Sequence, residues 1–554
     1  MGKTVNIRCK NTGKTHKVPS GFRLEDVYEM LELNMPYGCT SAKVNNKVEG
    51  LHFTLFTDKD VEFLDVTSPS GLRTYTRSLF FVLYKAVVEC YPGAHLRIDT
   101  PVSNGYYCRL EGIEGGVTEE VVETLRGKMH ALVDADIPYH RITCPTEDAC
   151  RLFHDCGLED KVKLLKSAGR IYTTYYTLDG TPDYFYGSLL VSTGQLRVFD
   201  IIPYYDGLLL RVPDPKNPKQ LRPLVAQKKM FDVFQEQHAW QKILGITTIG
   251  DLNEATAKGS TNDLINVSEA LQEKKISRLA DKIAGLPDVK VILIAGPSSS
   301  GKTTFSKRLA VQLMACGKRP VAISLDDYFV SRERTPKDAD GEYDYESIYA
   351  MDMDLLNDQI NKLLAGEEVE LPKYNFLTGM SEKSGKRLRL QPDTLIIFEG
   401  IHALNPLLTE GVPAAAKFKI YASALTTILL DDHNYIPTTD NRLLRRIVRD
   451  AKYRANTAEM TIRRWPSVRR GEDKWIFPYQ EEADEMINTA LLFEFAALSS
   501  QALPLLEQVP ETAPEYSEAY RLRKFLGYLN PISTKGLPPT SLLREFLGGS
   551  TFKY

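Results

Sequence analysis

Gly296-Pro297-Ser298-Ser299-Ser300-Gly301-Lys302-Thr303 has the spacing of a phosphate-binding loop, G-x-x-x-x-G-K-[ST]. Its glycines let the backbone turn tightly. Inward-pointing amides, helped by the positive N-terminus of the helix that follows, can then hold phosphate oxygens. Lys302 can reach the β- and γ-phosphates, and the Thr303 hydroxyl can hold Mg²⁺. Downstream, two apolar runs end in carboxylates: Ile323-Ser324-Leu325-Asp326-Asp327 and Leu395-Ile396-Ile397-Phe398-Glu399-Gly400. A carboxylate at a strand tip beside such a loop can hold Mg²⁺ or accept a proton from an attacking hydroxyl. It can equally cap a turn. Between residues 440 and 474, nine Arg and two Lys stand against five acids. That surplus can neutralise charge on a transferring phosphoryl group; the bland alternative is a solvated or RNA-facing helix. Together these residues point to binding of a nucleoside triphosphate and phosphoryl transfer.

A parallel α/β sheet would bring these residues together. Apolar, β-branched runs at 289–295, 319–324, 394–398 and 418–422 predict its strands, alternating with helices on both faces. Phe305, Leu309, Leu313 and Met314 fall on one face of the helix after the loop. In such sheets the active site lies at the C-terminal strand ends, where Asp326 and Glu399 stand. Leu443, Leu444, Ile447 and Val448 give the basic helix an apolar face for packing.

The loop is followed in order by Ser324-Leu325-Asp326-Asp327-Tyr328-Phe329, Tyr343-Asp344, Pro372-Lys373-Tyr374-Asn375-Phe376, Phe398-Glu399-Gly400-Ile401 and the Arg-rich run 440–450. This joint pattern, over residues 288–510, resembles the uridine kinase branch of the uridine kinase/phosphoribulokinase family. The resemblance implies that Gly296, Pro297, Ser298, Ser299, Ser300, Gly301, Lys302, Thr303 and Thr304 bind ATP, with GTP as the alternative donor. It makes Asp326 the catalytic base and gives Thr303 and Glu399 to Mg²⁺. Asp344 would bind ribose hydroxyls, and Tyr374 and Phe376 would line a nucleobase pocket. Arg442, Arg445, Arg446 and Arg449 would form a lid that closes on the phosphates. Two departures stand out. Gly379 replaces a His that helps the family recognise pyrimidines. Residues 426–439 lengthen the approach to the lid, and are expected as a tolerated surface insertion or a new substrate contact.

Residues 1–66 alternate as short strands around a helix near 24–33 and resemble the β-grasp TGS domain of threonyl-tRNA synthetases. Residues 67–210 resemble the editing domain of the same synthetases, through a helix at 79–92, Asn104-Gly105-Tyr106-Tyr107 and Val191-Ser192-Thr193-Gly194. The family's four chemical positions are here Arg77, Phe81, Phe185 and Leu189. None of these binds a metal as imidazole or thiolate does, or offers a base near pH 7. The domain is therefore expected without editing chemistry, kept for shape or for a new ligand. Residues 211–287 resemble nothing and read as a helical linker; 511–554 read as a helical extension.

Net charge is −3, so no global attraction to nucleic acid or membrane is expected. RNA binding stays open but is unsupported by charge, and a homo-oligomer is compatible. No apolar run is long enough to span a membrane. Cys144, Cys150 and Cys156 miss every standard zinc spacing, and free thiols in a reducing cytoplasm are expected. The expected activity is ATP-dependent phosphorylation of a ribonucleoside 5′-hydroxyl, that of uridine or cytidine. The alternatives are a kinase of another hydroxyl metabolite, such as a sugar phosphate or pantothenate, or a nucleotide-sensing regulator.

Overall fold

Five strands build the sheet that carries the phosphate loop: Arg319–Ser324, Thr394–Glu399, Val291–Ala295, Lys417–Ser423 and Glu485–Asn488, in that spatial order and all parallel. The computed structural model describes residues 3–338, 341–375 and 378–553. Val291–Ala295 is buried at every position, as a central strand covered on both faces must be. Its side chains alternate between two cores. Ile292 and Ile294 pack with Phe305, Leu309 and Leu313 of helix Lys302–Ala315. Val291 and Leu293 pack with Leu356 and Ile360 of helix Met353–Leu364. Four strands lie where the apolar runs place them. The fifth, Glu485–Asn488, is only four residues long and too short for a periodic signal.

The N-terminal sheet has the order Lys14–Pro19, Thr4–Cys9, Lys59–Leu64, Ser41–Val44, Lys47–Glu49. Val5, Ile7 and Cys9 point inward with Val27, Val61 and Phe63. The next helix runs Pro69–Cys90, starting well before the expected 79. Ser68 caps it by accepting from the Gly71 amide, and Pro69 occupies its first turn. Its early turns bury Ser70, Thr74, Thr76 and Ser78, polar residues that give no apolar stripe. Residues 211–287 hold helices Lys228–Leu244, Ile249–Ala257 and Thr261–Ala284. The last of these places Ile276, Leu279 and Ile283 against the helix that follows the phosphate loop. All eight cysteines are free, and no described helix is long and apolar enough to cross a membrane.

The stretch 426–439 is not a surface insertion. Asp431, Asp432, His433 and Asn434 are buried in the synthetase-like half. Lys161 Nζ lies 2.8 Å from Asp431 and 3.0 Å from Asp183, and His433 Nδ1 lies 2.8 Å from Asp183. The backbone N–H of Ile98 donates to Asp432 O at 2.8 Å. Burial works against the Lys161 charge, but Asp183, Asp431 and Asp160 outweigh it and hold its pKa above the ordinary value. Around this polar plug, one continuous core joins Leu79 and Phe81 to Leu444, Ile447, Phe495 and Phe525. Lys161→Ala would remove the ammonium that two buried carboxylates, Asp183 and Asp431, share, a loss of about 3–5 kcal/mol. For a chain of 554 residues that loss is expected to lower the melting temperature by roughly 3–4 °C. An unchanged melt would show that the plug carries no load.

Candidate active site

The loop geometry follows from its small residues. A Cβ on Gly296 would lie 1.9 Å from Ala422 O, so only glycine fits beside the neighbouring strand. Gly301 takes φ +82°, the left-handed region that glycine enters freely, and Ser299 is held there too at φ 59°. Carboxylates of this chain already rest on the loop donors. The Ser298 amide donates to Glu472 Oε1 at 3.1 Å. The Thr304 amide and hydroxyl both donate to Glu545 Oε2, at 3.2 and 2.7 Å. These carboxylates act as stand-in anions, and they show that the loop presents donors to negative oxygen.

Lys302 is buried and donates to Pro297 O at 3.1 Å. Burial pulls its pKa down, against the attraction of Glu399 and Asp326. The Thr303 hydroxyl donates to Glu399 Oε1 at 3.0 Å. Burial lifts Glu399 to about 7, with Lys302 opposing and Asp326 adding to the rise. Asp326 opens on the cleft, yet protein crowds it from the sides. That desolvation raises its pKa against the pull of Lys302, Arg454 and Arg449. The expected strand ends at Ser324, and Asp326 and Asp327 sit on a 3₁₀ turn, Leu325–Tyr328. There they diverge: Asp327 accepts the Tyr374 amide at 3.4 Å, away from the loop. A hard oxygen set of one carboxylate and one hydroxyl fits Mg²⁺, which keeps its remaining positions for water and phosphate.

Helix Thr438–Tyr453 turns its arginines to the loop and Leu443, Leu444, Ile447 and Val448 to the core. It is therefore not a solvated basic face. Arg442 and Arg445 do not form an open lid, however. They are 1 % and 0 % exposed, each paired with a buried acid, Glu472 and Glu494. Arg442 donates to Ser298 O at 3.1 Å and Arg445 to Ser299 O at 3.4 Å, so both hold the backbone of the loop. Arg446 donates to Ser298 Oγ at 2.7 Å. Arg449 lies 2.8 Å from Asp450 and within electrostatic reach of Asp326.

Asp344 accepts the Glu346 amide at 3.1 Å. Tyr374 is buried, its ring centroid 5.6 Å from that of Phe329. Phe376 lies outside the described residues. Gly379 takes φ +74°, and a Cβ there would come within 2.7 Å of the Arg332 side chain, so Arg332 occupies the space beside it. Glu346 and His402 escaped the sequence reading. Burial lifts Glu346 to about 7 against the pull of Arg446, and its Oε2 has no hydrogen-bond partner among the described residues. His402 is buried and held neutral, at about 4. No local pattern marks either, nor Glu472 and Glu545, whose partners lie far away in the chain.

In the synthetase-like half, Phe81, Phe185 and Leu189 are all buried, with the two phenyl centroids 5.6 Å apart. Arg77 donates to Ser188 O at 3.0–3.1 Å.

A profile described as the phosphoribulokinase/uridine kinase family matches residues 291–491. Uridine kinase of Staphylococcus aureus (strain JH9) is 30% identical over 200 residues, which are 36% of this chain and 86% of that protein. The chain belongs to the phosphoribulokinase/uridine kinase family. Its P-loop kinase fold is preceded by a region similar to threonine–tRNA ligases. That of Rubrobacter xylanophilus is 29% identical over 189 residues, 34% of this chain and 29% of the ligase. The chain thus spans less than a third of the length of these ligases. Among solved structures, a possible uridine kinase from Bacillus stearothermophilus shares 19% identity at a TM-score of 0.27, covering 39% of this chain and 97% of its own.

Proposed function

We propose that this family member transfers the terminal phosphoryl group of ATP to a hydroxyl of a small metabolite, the 5′-hydroxyl of uridine or cytidine. The observation that carries the reading is the convergence of Lys302, Asp326 and the Thr303–Glu399 pair at the mouth of the loop. Asp326 accepts the hydroxyl proton as the acceptor oxygen bonds to phosphorus and the bond to the departing diphosphate breaks. Lys302 and the loop amides hold the phosphate oxygens, with Arg446 and Arg449 adding positive charge from the side. Thr303 and Glu399 would hold Mg²⁺, which when bound would supply positive charge against the phosphates. Arg442 and Arg445 act through the loop, as positioning residues. Asp344 and Tyr374 face the acceptor, and Phe376 belongs with them by the sequence pattern.

The test is ATP consumption by the purified chain against a panel of nucleosides, sugar phosphates and pantothenate. Uridine or cytidine is expected to stimulate it most. Stimulation by non-nucleosides alone would move the acceptor assignment. A second reading, a nucleotide-sensing regulator, is favoured by Glu545 and Glu472 on the loop donors. ATP binding without turnover on any acceptor would support it.

For the synthetase-like half we infer no editing. The isolated task is hydrolysis of Ser-tRNA(Thr) by the full chain, measured with metal content alongside. Background deacylation and no stoichiometric zinc are expected, because apolar Phe81, Phe185 and Leu189 supply neither ligands nor a base. Deacylation above background would show that other residues have taken over the chemistry.

A further inference from the structure

A cavity of about 610 Å³ lies far from the phosphate loop in sequence and is assembled from three parts of the chain. The β-grasp module lends its wall around Lys47–Glu49. The synthetase-like region contributes Arg77, Arg141, Arg170 and Tyr172, and the C-terminal helix Tyr516–Leu526 contributes Tyr520 and Lys524. The volume suits a ligand of nucleotide size.

Its charge is unbalanced. Lys47, Arg73 and Arg521 are paired with Glu49, Glu518 and Asp440. Arg77, Arg141, Arg170 and Lys524 have no carboxylate within ion-pair distance among the described residues. Arg77 donates to Ser188 O and Thr74 Oγ1, and Arg141 to Thr174 Oγ1 and the Tyr176 hydroxyl, none of them a carboxylate. Arg170 donates to Tyr528 OH at 3.0 Å and lies over that ring, and Lys524 donates to Tyr186 O. Four unpaired cations around one concavity repel one another. Burial lowers Lys524 to about 8, and Arg170 and Arg77 push it further in that direction. Such a cluster is costly unless an anion fills it. Guanidinium groups suit phosphate, which they grip with paired N–H donors. Tyr172, 64% exposed, offers a ring face at the wall for a planar group.

We propose that this cavity is a second ligand site that binds a nucleoside di- or triphosphate, its phosphates held by Arg77, Arg141, Arg170 and Lys524. The site is separate from the loop, and it links the synthetase-like half to the C-terminal helix of the kinase half.

Equilibrium dialysis of the full chain with ADP tests this, with inorganic triphosphate as the phosphate-only probe. Two ADP per chain are expected for the parent and one for Lys302→Ala, the latter displaced by inorganic triphosphate. On the Lys302→Ala background, Arg77→Gln with Lys524→Gln should weaken the remaining ADP by about tenfold or more. Arg141→Gln with Arg170→Gln, a pair nearer the surface, should do the same. Both pairs should melt at or above the temperature of the unliganded parent, because they relieve like-charge repulsion; a purely structural role would lower it. If the Lys302→Ala chain retains neither ADP nor inorganic triphosphate, the proposal is overturned. Retained ADP that is indifferent to both charge-removing pairs overturns it equally.

Discussion

Lys302→Ala is expected to lower kcat/KM by at least about 10²-fold while leaving the chain folded. Lys302 is a buried cation of the loop itself, and its charge is surrounded by Glu399, Asp326, Glu545 and Glu472. Its ammonium donates to Pro297 O. During transfer, negative charge builds on oxygens that this ammonium can reach. An electrostatic partner placed in advance is worth several kcal/mol there because it needs no reorganisation. Removing it also removes a buried charge whose pKa burial already lowers, so the stability of the unliganded chain should change little. Steady-state kinetics with the best acceptor, beside a thermal melt, checks both halves. Activity within tenfold of the parent would mean that Lys302 has another role.

Asp326→Asn carries the second large effect, on the order of 10²–10⁴ in rate. The amide keeps the size of the carboxylate and cannot take the hydroxyl proton. Asp327→Asn is expected to cost less than about tenfold, since Asp327 is turned away to the Tyr374 amide. The contrast between neighbours is the informative quantity. A general fault in folding or metal binding would depress both; loss of the base depresses one. A reversed order would assign the proton to Asp327 and shift the reading of the turn by one residue.

Some of this architecture is local and could be read from the chain. The loop, the helix after it and four strands declare themselves through glycine spacing and β-branched runs. The tips of two of those strands lead to Asp326 and Glu399. Other features are made by contacts between distant positions. Glu545 lies 241 positions from Thr304, in a short helix that shows only a mixed, amphipathic pattern. Glu472 stands among arginines on helix Ala458–Trp475, where a charge run reads as a solvated face; in the fold it pairs with Arg442 and the Ser298 amide. The same holds for Arg442 and Arg445. Their type and spacing suggest a mobile cationic lid, but only the partners Glu472 and Glu494 show that they are fixed. Residues 426–439 look like a tolerated insertion because the partners that bury their polar string Asp431-Asp432-His433-Asn434, Lys161, Asp183 and His95 among them, lie far away in the chain.

The carboxylates on the loop donors bear on how ATP enters. A phosphate must displace Glu545 from the Thr304 amide and hydroxyl and Glu472 from the Ser298 amide, or approach beside them. Glu472 is held by Arg442 and Arg469, whereas Glu545 has only the Thr304 donors among the described hydrogen bonds. Glu545 is thus the easier of the two to move.

Phosphorus NMR of the purified chain incubated with ATP, Mg²⁺ and uridine tests the central claim most directly. Loss of the γ-phosphate resonance should be matched by growth of a nucleoside 5′-monophosphate resonance, and both should vanish with Lys302→Ala. Growth of inorganic phosphate alone, or no change with uridine, cytidine or any other hydroxyl acceptor, would contradict it.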